Sequence, residues 1–498
     1  MASQKEYLEA TEKALAAIEI EQLSFVVRAQ KFRITATVMK RTAMPLATEY
    51  AVRLVHLAPD IGAEELAGFF GFGAPETQVL IQDMLETQLV TERDGRFSLS
   101  TKGREAVSPM SDDIELFEVD EINAIQCFDL IAFAPVDDAD LNAAEARRVP
   151  EITIPNRERA AAAVVEARQA FETHFAEWYQ RNDRRKRIED IQLHAVDDIQ
   201  PLRTFGAPLH FPIRYRLDDP ASIEADFAFL RNRGRPASRN ALIEALSASI
   251  QGLSSPPDHA DGFHWLSNVD AGLLTRSGLR DFKDQATWAR LCADPSTRSF
   301  GEHGSQVVRL FGSVTGALTR ATIIQWAKTV ATDRPELPTP IFWLPPRASY
   351  WGRSVAFTEL VREMASADPD GIVLLARTDG SSREASSWRR FFGPRESRSP
   401  LFNRCFIVNP KIPDSVEIII KPGAWGLVLV HTPEIATGFP LPMGYITSDP
   451  SIAMELRRSL AEVVAASDGS KAVLWSSGAE RPAMALAYID LALGIGEA

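Results

Sequence analysis

Apolar and polar positions alternate between residues 24 and 39, placing Phe32, Ile34, Ala36 and Val38 on one side of an extended chain. With its β-branched content, this stretch predicts one or two strands. Ahead of it, Tyr7, Leu8, Leu15, Ile18 and Ile20 recur at helical spacing among charged residues, so 1–22 is expected to be helical. Over 43–108 three helices are expected. Tyr50, Leu54 and Leu57 share one face of 47–57, Ala63 to Phe70 form a second helix closed by Gly71 and Gly73, and Ala74-Pro75-Glu76 open a third. The third has Val79, Leu80, Met84 and Leu85 as its apolar side, with Leu89 and Val90 following. Two short extended runs then flank Asp94-Gly95, a hairpin signal, and a further helix begins at Thr101.

Beyond residue 108 the pattern coarsens. Acidic 109–160 holds strand-like runs near 114–119 and 125–134; a long helix is expected over 157–180, and strands at 191–195 and 211–215. Residues 218–335 read as mainly helical. From 340 the pattern becomes short apolar runs between helices: PIFWL, GIVLLA, CFIV, 416–420 and 425–430 as strands, with helices at 355–364 and 451–464. Such alternation predicts a sheet flanked by helices. The expected fold class is α+β or α/β multidomain, divided as 1–42, 43–108, a mixed middle region over 109–335, and an α/β domain over 336–498.

A length of 498 residues is enough for about three domains and a full core. Three well-separated cysteines, Cys127, Cys292 and Cys405, argue against a disulfide framework or a structural zinc site. The acidic start lacks the basic and apolar regions of a signal peptide, and no apolar run reaches the roughly 18 residues of a membrane span, so a cytoplasmic protein without membrane contact is expected. The net charge of −13 excludes a globally basic nucleic-acid coat, which leaves only local basic patches as nucleic-acid surfaces.

Two resemblances emerge. The order helix, helix, helix, hairpin, helix, carried by EELAGFFG, VLIQDMLETQLV and GRFSLSTKGREA, resembles the winged helix-turn-helix superfamily over about 43–108. The layout of TPIFWLPPRASYWGRSVAFTELVREMASADPDGIVLLART, LFNRCFIVN and AWGLVLVHTPEIATGFPLPMGYITSDPSIAMELRRSLAEVV resembles a degenerate phospholipase D-like domain over about 335–465, as in some regulators and defence-associated proteins. That resemblance implies a His-x-Lys pair in active members, with the imidazole attacking phosphorus and the ammonium neutralising its oxygens. None of the eight histidines here has a lysine two residues on; His431 is followed by Thr432 and Pro433.

No phosphate-binding loop, Gly-x-Ser-x-Gly elbow or His-Glu-x-x-His helix is present. Glu302-His303 in a Gly-rich bend, and His259, Asp261 and His264 in HADGFH, read better as polar loops than as an acid–base pair or metal site. Glu417 and Lys421 read as a strand-end charge pair. The sequence therefore predicts no catalytic residue, metal or cofactor. Basic residues supply the remaining lead: Arg383, Arg389, Arg390, Arg395, Arg398 and Arg404 in an expected loop over 381–404, beside Trp388, Phe391 and Phe392. Arginines here suit phosphates and the aromatics suit bases, or else the aromatics lie buried beneath a solvated charge run. Arg93, Arg96 and Lys102 are the wing-side candidates.

The 43–108 segment nevertheless holds ten acids against five bases, and its presumed recognition helix carries Glu76, Asp83 and Glu86 with no Lys or Arg, which opposes phosphate contact. The expectation is a non-catalytic regulatory or defence-system subunit that binds DNA or docks a partner protein. The alternatives are a nuclease with an unrecognised site, or a pure scaffold in a multi-subunit complex. No pattern in the chain specifies an oligomeric state.

Overall fold

A computed structural model describes residues 17–42, 45–107, 116–139, 141, 145–182, 191–219, 223–231, 239–272, 284–301, 306–330, 337–394, 400–476 and 480–495. The fold is mixed α/β, in two compact units. One comprises Met1–Ala29, Asp129–Ala160 and Thr204–Ala498; the other comprises Gln30–Phe128 and Ala161–Arg203. Two 26-residue strands, β1 (Ala17–Thr42) and β7 (Ile191–Arg216), contribute a half to each unit, and the short strands Pro135–Val136 (β6) and Ile223–Ala225 (β8) belong to the first.

Burial alternates with period two over residues 31–39 of β1, whereas residues 23–27 are buried without a break. Phe32, Ile34, Ala36 and Val38 are fully buried, as the alternation predicts. The helix expected over 1–22 is strand from Ala17 onward, with Ile18 and Ile20 buried, and its earlier part lies outside the described residues. A run of β-branched residues with every second side chain buried fits a ladder better than a helix face. The two strands expected within 191–215 are one strand, continuous through Pro201, Gly206 and Pro208. Pairing overrides these local breakers. Gly206 is required there, because a Cβ would lie 2.6 Å from Val26 Cγ1. Likewise the runs near 114–119 and 125–134 form one strand, β5 (Leu116–Asp129), and the helix expected over 157–180 is Arg157–Ala161 followed by Ala163–Asn182.

In the smaller unit, α1 (Leu46–Leu57), α2 (Ala63–Phe70) and α3 (Ala74–Glu86) pack with a three-stranded sheet of order β2–β4–β3, formed by Ile61–Gly62 (β2), Val90–Arg93 (β3) and Arg96–Leu99 (β4). α4 (Thr101–Ala106) follows, capped by Ser100 accepting from the Gly103 N–H. Asp94 (φ 53°) and Gly95 (φ 75°) turn the β3–β4 hairpin, with Arg93 opposite Arg96, as a two-residue Asp-Gly turn demands. The core is Ala51, Val52, Val55, Leu66, Leu80, Met84, Phe97 and Leu99. Of the expected face of α1 only Leu54 packs on the core: Tyr50 and Leu57 are exposed, as is Val79 on α3, because the smaller Ala51, Val52 and Val55 make the close contact. A Cβ on Gly103 would stand 2.0 Å from the Leu89 carbonyl oxygen. Gly103→Ala is therefore expected to cost roughly 1–3 kcal/mol by overpacking. The loss should be read as faster amide exchange across 46–106 in the full chain.

The larger unit holds a nine-stranded sheet of order β17–β13–β12–β11–β14–β15–β16–β10–β9. Its strands are Ser299–Phe300 (β9), Val307–Phe311 (β10), Ile341–Leu344 (β11), Ile372–Arg377 (β12), Arg404–Val408 (β13), Val416–Lys421 (β14), Trp425–Pro433 (β15), Pro440–Thr447 (β16) and Val473–Trp475 (β17). β11, β12 and β13 run parallel and the other pairs antiparallel. β9 and β10 precede residue 336, so strands of the expected middle region belong to this sheet. Near-continuous burial along β11, β12, β14 and β16 is what a sheet covered on both faces requires. One face packs Trp343, Ile419, Trp425, Leu427 and Leu429 against α5 (Ala317–Thr329), α6 (Val355–Ala367) and α7 (Ser382–Phe392). The other packs Phe342, Ile418, Ile420 and Val428 against His259–Val269, Pro450–Ala465 and Pro482–Leu493. Among the described residues no helix is long and apolar enough to cross a membrane.

Candidate functional site

The predicted basic residues do not converge. The 381–404 segment, expected as a loop, is helical over Ser382–Phe392, with the Ser381 hydroxyl accepting from the Glu384 N–H. Arg383, Arg389 and Arg390 lie on its exposed side. The aromatics face inward: Phe392 is buried, and Trp388 donates its indole N–H to the Arg377 carbonyl at 2.9 Å. Of the two accounts open in the sequence, the buried-aromatic one describes this helix. Arg389 donates to the Leu474 carbonyl at 3.0 Å, and Arg390 stands over the Phe391 ring at 5.9 Å. Arg404 sits on β13, paired with Glu480 at 2.9 Å and stacked 4.0 Å over Tyr488. Arg395 and Arg398 lie outside the described residues. In the smaller unit Arg93 is at the hairpin tip, Arg96 donates to the Asp60 carbonyl at 2.6 Å, and Lys102 donates to the Thr87 carbonyl at 3.3 Å.

HADGFH opens a helix, His259–Val269, rather than a loop, and no group of three metal-ligating side chains exists among the described residues. Glu302 and His303 fall outside those residues. Lys421 pairs with buried Asp368 at 2.9 Å rather than with Glu417. All three cysteines are buried and outside any disulfide, and burial pushes the Cys292 thiol up to about 12, far from a reactive thiolate.

What the structure does bring together is a buried relay in the larger unit. Glu417 on β14 and His431 on β15 are diagonal neighbours on the face that packs against α5, α6 and α7, since Glu417 opposes Leu429 and the His431 N–H donates to the Ser415 carbonyl. Glu417 is fully buried and His431 nearly so, with His431 Nε2 2.7 Å from Glu417 Oε2. Glu417 Oε1 accepts from Trp343 Nε1 at 2.8 Å and from Trp351 Nε1 at 2.7 Å. Tyr350, on the segment following β11, places its hydroxyl 2.6 Å from His431 Nδ1.

Burial first, and then the Glu21 and Glu417 carboxylates, hold the Tyr350 phenol well above its ordinary range. The phenol thus stays protonated, and the imidazole bridges it to Glu417 through its two ring nitrogens. Both imidazole nitrogens and both Glu417 oxygens are engaged.

The relay borders a cavity of about 200 Å3, whose lining includes a second buried carboxyl, Glu21 on β1. Glu21 accepts from the Thr315 hydroxyl and, at 2.9 Å, from the Gln22 N–H. Burial pushes this carboxyl up to about 7 against those hydrogen bonds, with the nearby Glu417 charge adding to the rise. Ser24 anchors the rim, its hydroxyl accepting from the Val355 N–H at 3.0 Å and lying 2.9 Å from His210 Nδ1.

Sequence reading missed this site. Its one visible signal is a lone acid and a lone histidine interrupting otherwise apolar strands, VEIIIK and WGLVLVH. Compared with protein-family models, curated proteins and solved structures, the chain matches none.

Proposed function

We propose that this chain is a non-catalytic subunit of a regulatory or defence-associated assembly, whose 46–106 module, read as a winged helix, docks a partner protein rather than duplex DNA. One observation carries the reading: the outward face of α3 is Glu76, Gln78, Val79, Gln82 and Glu86, acidic and polar around one exposed apolar side chain, with no cation. Phe69 and Tyr50, also exposed on this module, add apolar surface. Phosphates repel such a face, while a partner offering apolar and basic side chains buries it favourably. The saturated hydrogen bonding of His431 and Glu417 supports the non-catalytic part, since the relay spends its proton donors and acceptors on holding the cavity wall.

Anisotropy of a labelled duplex of about 30 base pairs, between about 50 and 200 mM salt, should show no steeply salt-dependent binding. Co-purification of the tagged full chain from its native cells should recover a partner that is lost with Val79→Asp or Phe69→Asp, while surface substitutions of this kind leave stability within about 0.5 kcal/mol. Tight, salt-steep duplex binding would reverse the assignment.

A second reading rests on the Tyr350 phenol at the cavity wall, hydrogen-bonded to a carboxylate-backed imidazole, which is the layout of an acid–base relay. Hydrolytic turnover by purified protein, abolished in His431→Asn, would favour it.

A further inference from the structure

We propose that a second cavity in the larger unit, of about 330 Å3, binds a small planar aromatic ligand carrying one carboxylate or phosphate group, held by Arg353. The cavity lies at the carboxyl ends of parallel strands β11 and β12, lined by Arg347 just after β11 and by Arg377, the last residue of β12. Sheets of this kind hold ligands in the crevice outside those ends. Its volume lies in the range of small-molecule pockets.

The charges on the wall are unbalanced. Four arginines line the cavity against a single acid, Glu384, and that acid is committed to Arg347 at 2.5 Å and to the Asp379 N–H at 2.7 Å. Arg377 is spent on main chain, donating to the carbonyls of Pro345, Ile412, Pro413 and Val416. Arg148 donates to the Thr358 hydroxyl and lies 5.6 Å over Phe392.

Arg353 differs. Among the described residues no carboxylate pairs with it, and its guanidinium stands 5.3 Å over the Phe391 ring. It is half-buried and lines this cavity and the one beside the relay. Burial pulls its guanidinium below the ordinary range with no acid to offset the cost. A half-buried fork of donors without an acid suits a carboxylate or phosphate, which accepts bidentately. Trp351 and Trp388, which also line the cavity, supply flat apolar surface for the rest of the ligand. The inference is independent of the docking role assigned to the smaller unit.

Calorimetric titration of the full chain in an anion-poor buffer tests it. Adenosine 5′-monophosphate and an indole carboxylate are the two anionic probes, with adenosine and the indole carboxamide as neutral controls. At least one anionic probe is expected to bind below about 1 mM and its neutral control not to bind; which of the two binds separates phosphate from carboxylate. Arg353→Leu should weaken binding roughly 10- to 100-fold, the value of a hydrogen bond to a charged group, and Arg353→Lys by less, with thermal midpoints of both variants unchanged. Absence of binding by both anions, equal binding of the neutral controls, or unchanged affinity in a folded Arg353→Leu protein would each overturn the assignment.

Discussion

Replacing Glu417 with alanine is expected to remove about 3–5 kcal/mol of stability from the larger unit, the cost of deleting one partner from a buried charged network. The carboxylate has no exposed surface and is hydrogen-bonded to three ring nitrogens, from Trp343, Trp351 and His431. Truncation leaves two indoles and an imidazole without this partner where water has little access, and it opens a void beside aromatic rings that pack on one another at 5.6 Å. Glu417→Gln keeps the side-chain volume and an acceptor oxygen for the indoles, so it should cost less than half as much. Trp343→Phe removes one donor and keeps the ring packing, so roughly 1 kcal/mol is expected. Denaturant midpoints of the three variants provide the check. A Glu417→Ala protein within 1 kcal/mol of wild type would show that the relay is not a determinant of this fold.

The second large effect is on pH. The Glu21 carboxyl titrates near 4.5 when unfolded and near 7 when folded. A raised folded value means that the native chain binds this proton more tightly than the unfolded chain. The associated stability is therefore complete below pH 4.5, declines above it, and is lost as the pH passes 7. At 1.36 kcal/mol per unit the total is about 3 kcal/mol. Between pH 5 and pH 8 the wild type should lose about 2–3 kcal/mol of unfolding free energy that Glu21→Gln does not, because glutamine stays neutral throughout. An identical pH slope in the two proteins would refute the assignment. The direction is opposite to that of a salt-bridged surface carboxylate, so the contribution of this residue stands out from ordinary acid unfolding.

Much of the scaffold was legible in the residues. Asp94-Gly95 needs two positive φ angles and marks its hairpin wherever it occurs. The apolar runs of β11, β12 and β14 are too short for helices and too hydrophobic for a half-exposed sheet, so they announce strands buried on both faces. The acidity of α3 was equally visible, because charge needs no fold to be counted.

Tertiary structure decided what local periodicity averages away. It made β7 one strand through three prolines, because ladder pairing outweighs local preference. It turned Tyr50 and Leu57 to solvent, because small side chains pack closer. It turned Trp388 and Phe392 inward beneath their arginines. The relay depended on it most. Residues 21, 350, 417 and 431 lie on different strands and a connecting segment, and nothing in their spacing announces a meeting. Hydrophobicity and turn chemistry are properties of neighbouring residues and are written along the chain. Hydrogen-bond partnership among buried polar groups is set by strand register, which exists only once the sheet has formed.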